Sequence, residues 1–419
     1  MTKRRRSVIT GIGPLTCIGI GRETFWNSIL AEKSGIGSIS LFDASPYTAK
    51  SAGEVWDYDS ERFFPAHRLK RLDRYAQFAV ASAFLALEDA KFDWSPEKPQ
   101  PRVGVSFGTA LGGISNAESQ HAKFVTGGPR NVSQTIAVQV FGGSAHANIA
   151  IECGFQGVGT TNSNSCASGT VAVGEAMRYI RDDWADALIA GGAEAPLSPL
   201  TFGAFDMIKS MTRSEAPFCC RPFDKARDGF VMGEGAASLM IEELEHAKNR
   251  GAHIYAEVLG YGQTNDAFHM TSSRNDGASA IRAIQQALED ANVSPDQIDY
   301  INAHASSTQM NDRNEAHCIH TVFGARASQI PVSGTKAYTA HPLGATGAIE
   351  AAICALAIDQ GFIPPTLHHE TLDPECGLDV VPGHGRKADL SYVLSNSFGF
   401  GGINSCIVLG KYPQKSEGG

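Results

Sequence analysis

The chain has 419 residues, enough to bury a large core and to make two domains or one large duplicated one. Its 42% hydrophobic and 19% charged content describes an ordinary soluble globular protein, and its net charge of −9 excludes general nucleic-acid or anionic-membrane binding. An acidic partner therefore requires a local basic patch. The nine cysteines are odd in number, thinly spread and without a CxxC pair, which fits a reducing cytosol.

Lys3 to Arg6 form a basic start that reads as a solvated terminus. The apolar run behind it, Val8 to Ile20, is broken by Gly and Pro and lacks the continuity of a signal peptide or membrane span. Ser7 to Ile12 (SVITGI) reads as a buried strand, with Gly11 and Gly13 opening a turn. The spacing in GIGPLTCIG, with Pro14, departs from the GxGxxG dinucleotide loop. Arg68 to Arg74 (RLKRLDR) is a basic cluster leading into the amphipathic run Tyr75 to Ala90. It reads either as a solvated helix face or as a docking site for an acidic partner. Arg102 to Gly108 is a strand running into TALGG, which carries Leu111.

In Asn162 to Thr170 (NSNSCASGT), Cys166 sits among small polar residues, followed by a helix-like run from Ala167 to Arg181. A sulfur at a helix N-terminus is favoured as thiolate by backbone N–H groups and the helix dipole. A buried structural cysteine fits this stretch equally well. Asp186 to Gly191 is an apolar strand, followed by Gly192 and Glu194. The adjacent cysteines of PFCCRP (Pro217 to Pro222) read as reduced thiols, and Asp224 to Glu234 is a glycine-punctuated loop before the strand Ala237 to Ile241.

At Ala256 the pattern begins again. AEVLGYG resembles VITGIG, and Ala280 to Ala291 ends in LEDA as Leu87 to Ala90 does, each before a strand. Two α/β halves follow, the first with an insertion over roughly residues 20 to 70. In the second half, Tyr300 to Ala303 delivers His304 at a strand end. Ser333 to Gly347 carries Lys336 and His341 ahead of the helix Ala348 to Asp359, and Ser395 to Asn404 reads as a glycine-rich turn entering the strand Ser405 to Leu409.

A cysteine with two histidines in small-residue loops suggests acyl transfer through a thioester, because sulfur both attacks and leaves well. Two neutral imidazoles can donate to a thioester carbonyl where enolate charge develops, and an ammonium such as Lys336 adds to that field. A lone histidine near a turn is more often structural, and thirteen histidines give many chances of coincidence. A metal site at His317, Cys318 and His320 lacks a second ligand pair with zinc spacing. A cysteine protease would explain neither Lys336 nor the second histidine.

NSNSCASGT, INAHASST with Asp312 and Glu315, GTKAYTAHPLGATGAIEA and SNSFGFGGIN together resemble the β-ketoacyl-acyl carrier protein synthases, especially the type II elongating branch, over essentially the whole chain. The resemblance implies an α/β thiolase-like fold, with duplicated halves (1–255 and 256–419) in a five-layer αβαβα arrangement, usually dimeric. It implies decarboxylative Claisen condensation with malonyl-acyl carrier protein in fatty acid or type II polyketide or polyene synthesis. Cys166 would accept the acyl chain, and His304 and His341 would bind the malonyl carbonyl. Lys336 would support the site, with Glu350, Asp312 and Glu315 fixing it. The N–H groups of Cys166 and Phe400 would form the oxyanion hole, with the Phe400 ring as gate. Leu111 would line the acyl tunnel, and Thr271, Ser306 and Thr308 would meet the phosphopantetheine arm.

Arg68, Lys70, Arg71 and Lys209 would meet the acidic carrier protein. Beyond that arm no cofactor or metal is implied, and the location is cytoplasmic. The partner subunit is a second copy or a chain-length-factor-like chain. The family's HGTST reads HASST here, and NSNS replaces a small apolar lead-in to the cysteine. GFQGV stands where GxxGP is usual, and Asn131 to Gly142, near the usual dimer contact, is atypical. These changes bear on acyl specificity and on the partner. A non-catalytic partner subunit typically lacks the nucleophile, and a coenzyme A thiolase puts a second cysteine where this chain has Phe398 and Phe400. The single-histidine starter synthases have no counterpart of His341.

Overall fold

The computed structural model describes residues 4–413; Lys3 of the basic start lies outside them. The first half runs β1 (Ser7–Thr16), α1 (Arg74–Asp89), β2 (Val103–Gly108), α2 (Ser144–Cys153), β3 (Gly159–Asn162), α3 (Ser168–Arg181), β4 (Ala187–Glu194) and β5 (Gly235–Glu243). The second repeats the order: β6 (Ala256–Asn265), α4 (Ala278–Ala291), β7 (Tyr300–Asn302), α5 (Gln309–Phe323), β8 (Val332–Ser333), α6 (Thr346–Gln360), β9 (Tyr392–Gly399) and β10 (Ile403–Gly410).

Strand order is β3-β2-β4-β5-β1 in one half and β8-β7-β9-β10-β6 in the other. Corresponding pairs also share their sense. The β2 pairings to β3 and β4 are parallel, as are those of β7 to β8 and β9, and the remaining pairs within each half are antiparallel. The two sheets meet where Ser7 to Ile9 pair with Ala256 to Val258. Helices α1 and α2 cover the outer face of the first sheet, and α4, with α5 packed beside it in one apolar cluster, that of the second; α3 and α6 pack against each other between the sheets. The result is five layers, αβαβα.

Helix α6 is buried from Thr346 to Ile358, as suits a helix that is apolar all round. With its leading turn it is long and apolar enough to cross a membrane by composition, yet 89% of Leu343–Gln360 lies inside the fold.

Three expectations change. Gly11 and Gly13 do not open a turn: β1 continues through them to Thr16, as β6 continues through Gly260 and Gly262. A Cβ on Gly13 would stand 2.1 Å from the Ser82 carbonyl oxygen of α1, and one on Gly262 2.1 Å from that of Ala283 in α4. These glycines let the outer helix lie directly on the strand. The segment read as a glycine-rich turn is mostly strand β9, with the turn confined to Phe400–Gly402. The basic start is not simply solvated. Arg5 pairs with Asp183 (2.7 Å) and Asp186 (2.5 Å), Arg4 with Asp290 (2.7 Å) and Arg6 with Glu257, so the terminus clasps both halves.

The long connection between β1 and α1 supplies Ile39, Phe42, Tyr47, Ala49 and Ala52, which pack with Phe202, Leu343 and Cys166 in one apolar cluster. The insertion thus builds a wall beside Cys166.

Candidate active site

Cys166 sits in a single tight turn, Ser165–Ala167, wedged between β3 and α3, with Ser165 at φ 51°. Small residues permit the wedge. A Cβ on Gly108 would lie 2.4 Å from the Ser168 carbonyl, and one on Gly399 would lie 3.2 Å from the Cys166 nitrogen. Cys166 is 8% exposed, and burial pushes its thiol up to about 11, against the pull of Lys336 and the N–H groups of Phe400 and Cys166 itself. Expected to favour thiolate, the sulfur therefore rests as a thiol. The Phe400 ring stacks at 6.2 Å on Phe205, which meets Phe230 edge-on, and Phe230 in turn meets His341.

His304 and His341 face each other with ring centroids 5.4 Å apart. Lys336 Nζ lies 3.4 Å from His304 Nδ1 and donates to the His304 carbonyl. An ammonium has no lone pair to offer, so His304 Nδ1 accepts and Nε2 carries the proton. His341 Nδ1 lies 2.8 Å from Thr346 Oγ1, the first residue of α6; a hydroxyl donating there fixes the same tautomer. Burial first, then the Lys336 charge, holds both imidazoles well below 6.5. Both are therefore neutral hydrogen-bond donors near pH 7.

Buried carboxylates frame these groups. Glu350 binds Lys336 at 2.6 Å, and Glu315 accepts from the backbone N–H groups of His304 (2.8 Å) and Ala305 (2.7 Å). Burial raises each to about 7. Asp312 accepts from Phe223 N–H at 2.9 Å and faces Arg227 at 3.3 Å. Arg227 is itself buried and also pairs with Asp373 at 2.8 Å. Thr346 and Arg227 lay inside motifs already noted in the sequence, but their roles depend on contacts that spacing does not reveal.

Cys166, His304 and His341 open into one cavity of about 420 Å³, which Thr271, Ser306, Thr308, Lys209 and Phe400 also line. Ser306 and Thr308 share a hydroxyl contact of 2.9 Å. Leu111 stands apart from this cavity and packs in the apolar cluster that includes Cys166. Arg68, Lys70 and Arg71 do not line it either. Arg68 pairs with Glu152, while Lys70 and Arg71 are exposed; Arg74, at the end of the cluster, holds Glu234 at 2.7 and 2.5 Å. His320 binds the Cys376 carbonyl at 2.9 Å, and among the described residues no group of three or more His, Cys, Asp or Glu is arranged to hold a metal.

The Beta-ketoacyl synthase, N-terminal domain, family matches residues 4–247, and its C-terminal domain matches residues 255–370. A 3-oxoacyl-[acyl-carrier-protein] synthase 2 of Staphylococcus aureus is 40% identical over 98% of this chain and 100% of its own length. The protein of the same name from Synechocystis is 40% identical over 98% of this chain and 99% of its own. Among solved structures, a chain of the AntDE:AntF complex, a type II PKS acyl-carrier protein with its ketosynthase bound to the hexaketide, superposes with a TM-score of 0.90. It is 36% identical and covers 98% of this chain and 100% of that one. The ishigamide ketosynthase/chain length factor superposes with a TM-score of 0.91 at 35% identity, again over 98% and 100%. The fold is thus thiolase-like, and the chain belongs to the β-ketoacyl synthase family as an acyl-transferring enzyme of decarboxylative Claisen condensation.

Proposed function

We propose that Cys166 receives the growing acyl chain and that His304 and His341 activate the malonyl unit that extends it by two carbons. The supporting observation is the pair of neutral imidazoles, each with its Nδ1 engaged and its Nε2–H free for the cavity shared with Cys166. In the first half-reaction, Cys166 Sγ attacks the acyl thioester of a carrier protein, and the pantetheine sulfur leaves with the proton. In the second, the malonyl thioester carbonyl accepts hydrogen bonds from both Nε2–H groups. Carbon dioxide leaves, and the electron pair it gives up is held as an enolate. The enolate carbon then attacks the acyl carbonyl on Cys166, whose oxygen turns to the N–H groups of Cys166 and Phe400. That attack forms the carbon–carbon bond, and collapse of the tetrahedral intermediate then expels the Cys166 sulfur as thiolate, which takes up a proton from solvent.

In this reading the chain divides into 1–255, which carries the nucleophile, and 256–419, which carries Lys336 and both histidines. Ser306, Thr308 and Thr271 bind the phosphopantetheine arm by their hydroxyls, and no other cofactor is required. Leu111 and its neighbours take the acyl chain. Lys209 at the cavity and Lys70 and Arg71 on the surface meet an acidic carrier protein. Phe124, Val125, Val138, Phe141 and Ile151 are exposed in the first half, whose strand β3 is a sheet edge, and we assign these residues to contact with a partner subunit, either a second copy or a chain-length-factor-like chain. All nine cysteines are free, which suits a cytoplasmic enzyme.

Intact-protein mass spectrometry with acyl-carrier proteins tests the assignment. Cys166→Ala should take up no acyl group and perform no condensation, while Cys166→Gln should still decarboxylate malonyl-carrier protein. Full condensation by Cys166→Ala would overturn it.

A further inference from the structure

Glu194, the last residue of β4, is fully buried and lies outside the cavity lining. Its Oε2 accepts from Ala110 N–H at 2.6 Å and from Gly344 N–H at 3.0 Å. Its Oε1 accepts from Leu111 N–H at 3.0 Å and Thr109 Oγ1 at 3.1 Å. Thr109 to Leu111 form the loop leaving β2. The single Ser168 hydroxyl lies 3.0 Å from the Thr109 carbonyl and 2.7 Å from the Ser165 carbonyl of the nucleophile turn, bridging the two. Gly344 belongs to the other half, three residues beyond His341 in the turn Leu343–Ala345 that leads into α6. One carboxylate therefore ties the loop beside Cys166 to the turn that follows His341.

Resting on the assignment of Cys166 as nucleophile, we propose that Glu194 is a positioning residue for both half-reactions, clamping the nucleophile side of one half to the histidine side of the other. Four donors converge on it, three from the loop after β2 and one, Gly344, from the other half. Its burial raises it to about 7, and its negative charge works against ionisation of Cys166, opposite in sign to Lys336. The groups facing it are the Tyr75 hydroxyl, Cys166 and these four donors; those facing Cys166 are Lys336, Glu194, the histidine pair and the Phe400 N–H.

The test is Glu194→Gln in the full chain, with Thr109→Val as a milder second variant. The Gln amide keeps the shape but places an NH2 against donors and removes the charge. Iodoacetamide alkylation of Cys166 across pH should show its midpoint moving to lower pH in Glu194→Gln and staying put in Thr109→Val. Acyl loading from a pantetheine thioester, and malonyl decarboxylation in a Cys166→Gln background, should both fall, by up to roughly 10²-fold if the loops shift by about 1 Å. Thr109→Val should lower both rates by a smaller factor. An unmoved alkylation midpoint, with both rates within about twofold of the parent proteins, overturns the inference. Should Glu194→Gln not fold, unchanged loading and decarboxylation in Thr109→Val would overturn it as well. Condensation by Cys166→Ala would instead remove the assignment on which it rests.

Discussion

Replacing Thr346 by valine keeps the size and branching of the side chain and removes only its hydroxyl. That hydroxyl lies 2.8 Å from His341 Nδ1 in a position that is 1% exposed, so no bulk water replaces it. With the donor gone, the imidazole loses the contact that keeps its proton on Nε2, the nitrogen assigned to the malonyl carbonyl. A buried hydrogen bond is worth about 1 kcal/mol net, and an unpaired buried acceptor costs about 1–3, so a penalty of about 1–2 kcal/mol in the decarboxylation barrier is expected. That corresponds to roughly 5- to 30-fold in rate. Deleting the His341 side chain should cost more, ~10²–10³, because the donor itself is lost. The assay is malonyl-carrier protein decarboxylation by Cys166→Gln with and without Thr346→Val, with Thr346→Ser as the rescue. A valine variant as fast as its parent, or a serine variant as slow as the valine one, would refute the tautomer argument.

Because His304 and His341 are held well below 6.5, acidification through pH 6.5 does not protonate them, and any change in decarboxylation by Cys166→Gln between about pH 8 and that value should follow Glu315 and Glu350, which burial raises to about 7. A drop with an apparent pKa near 6.5 that persists in Glu315→Gln and Glu350→Gln would mean the imidazoles are not desolvated in solution. Charge reversal at Lys70, Arg71 and Lys209 should weaken turnover of carrier-protein substrates, with the difference shrinking as salt is added, since exposed charges are screened over about 8 Å at physiological ionic strength. Equal damage to turnover of a small pantetheine thioester would remove the docking role. Gly13→Ala and Gly262→Ala each drive a Cβ to 2.1 Å from a helix carbonyl oxygen, so each should cost about 1–3 kcal/mol or more in urea unfolding. Changes below about 0.5 kcal/mol in both would show that the helices are free to retreat.

The duplicated order and the groups that share the candidate cavity were legible because they ride on long features: the ten-residue strands β1 and β6, and the small-residue loops around Cys166, His304 and His341. What the sequence hid is set by distance or brevity. Strands β3, with four residues, and β8, with two, are too short to show a period. A Gly-x-Gly pair has the same local signature in a turn as under a closely packed helix, and only Ser82 and Ala283 opposite distinguish them. The roles of Arg4, Arg5 and Arg6 were misread because their carboxylate partners lie far along the chain, at Asp183, Asp186, Glu257 and Asp290. Arg68 likewise looks free until its ion pair with Glu152 is seen.

The way the halves meet accounts for the two opposite demands of the site. Helices α3 and α6 touch at their N-terminal ends, close enough that a Cβ on Gly169 would lie 2.5 Å from the Ala348 nitrogen and one on Gly347 2.1 Å from Thr170 Oγ1. Cys166 immediately precedes one helix and His341 lies just before the other, so two positive dipole ends, each equivalent to roughly half a charge, converge beside the reacting atoms. Lys336 adds a full charge. In the proposed reaction this field would lower the cost of a thiolate, an enolate and a tetrahedral oxyanion in turn, working against the burial that otherwise keeps Cys166 protonated. Burial first, and then the same field, opposes a proton on either imidazole, which keeps both as neutral donors. Glu350, Glu315 and Glu194 limit the excess, and burial raises each of them to about 7, so near neutral pH the anchoring charge is itself only partly developed. Anion stabilisation and neutral histidines are thus one consequence of joining two similar halves at their helix starts.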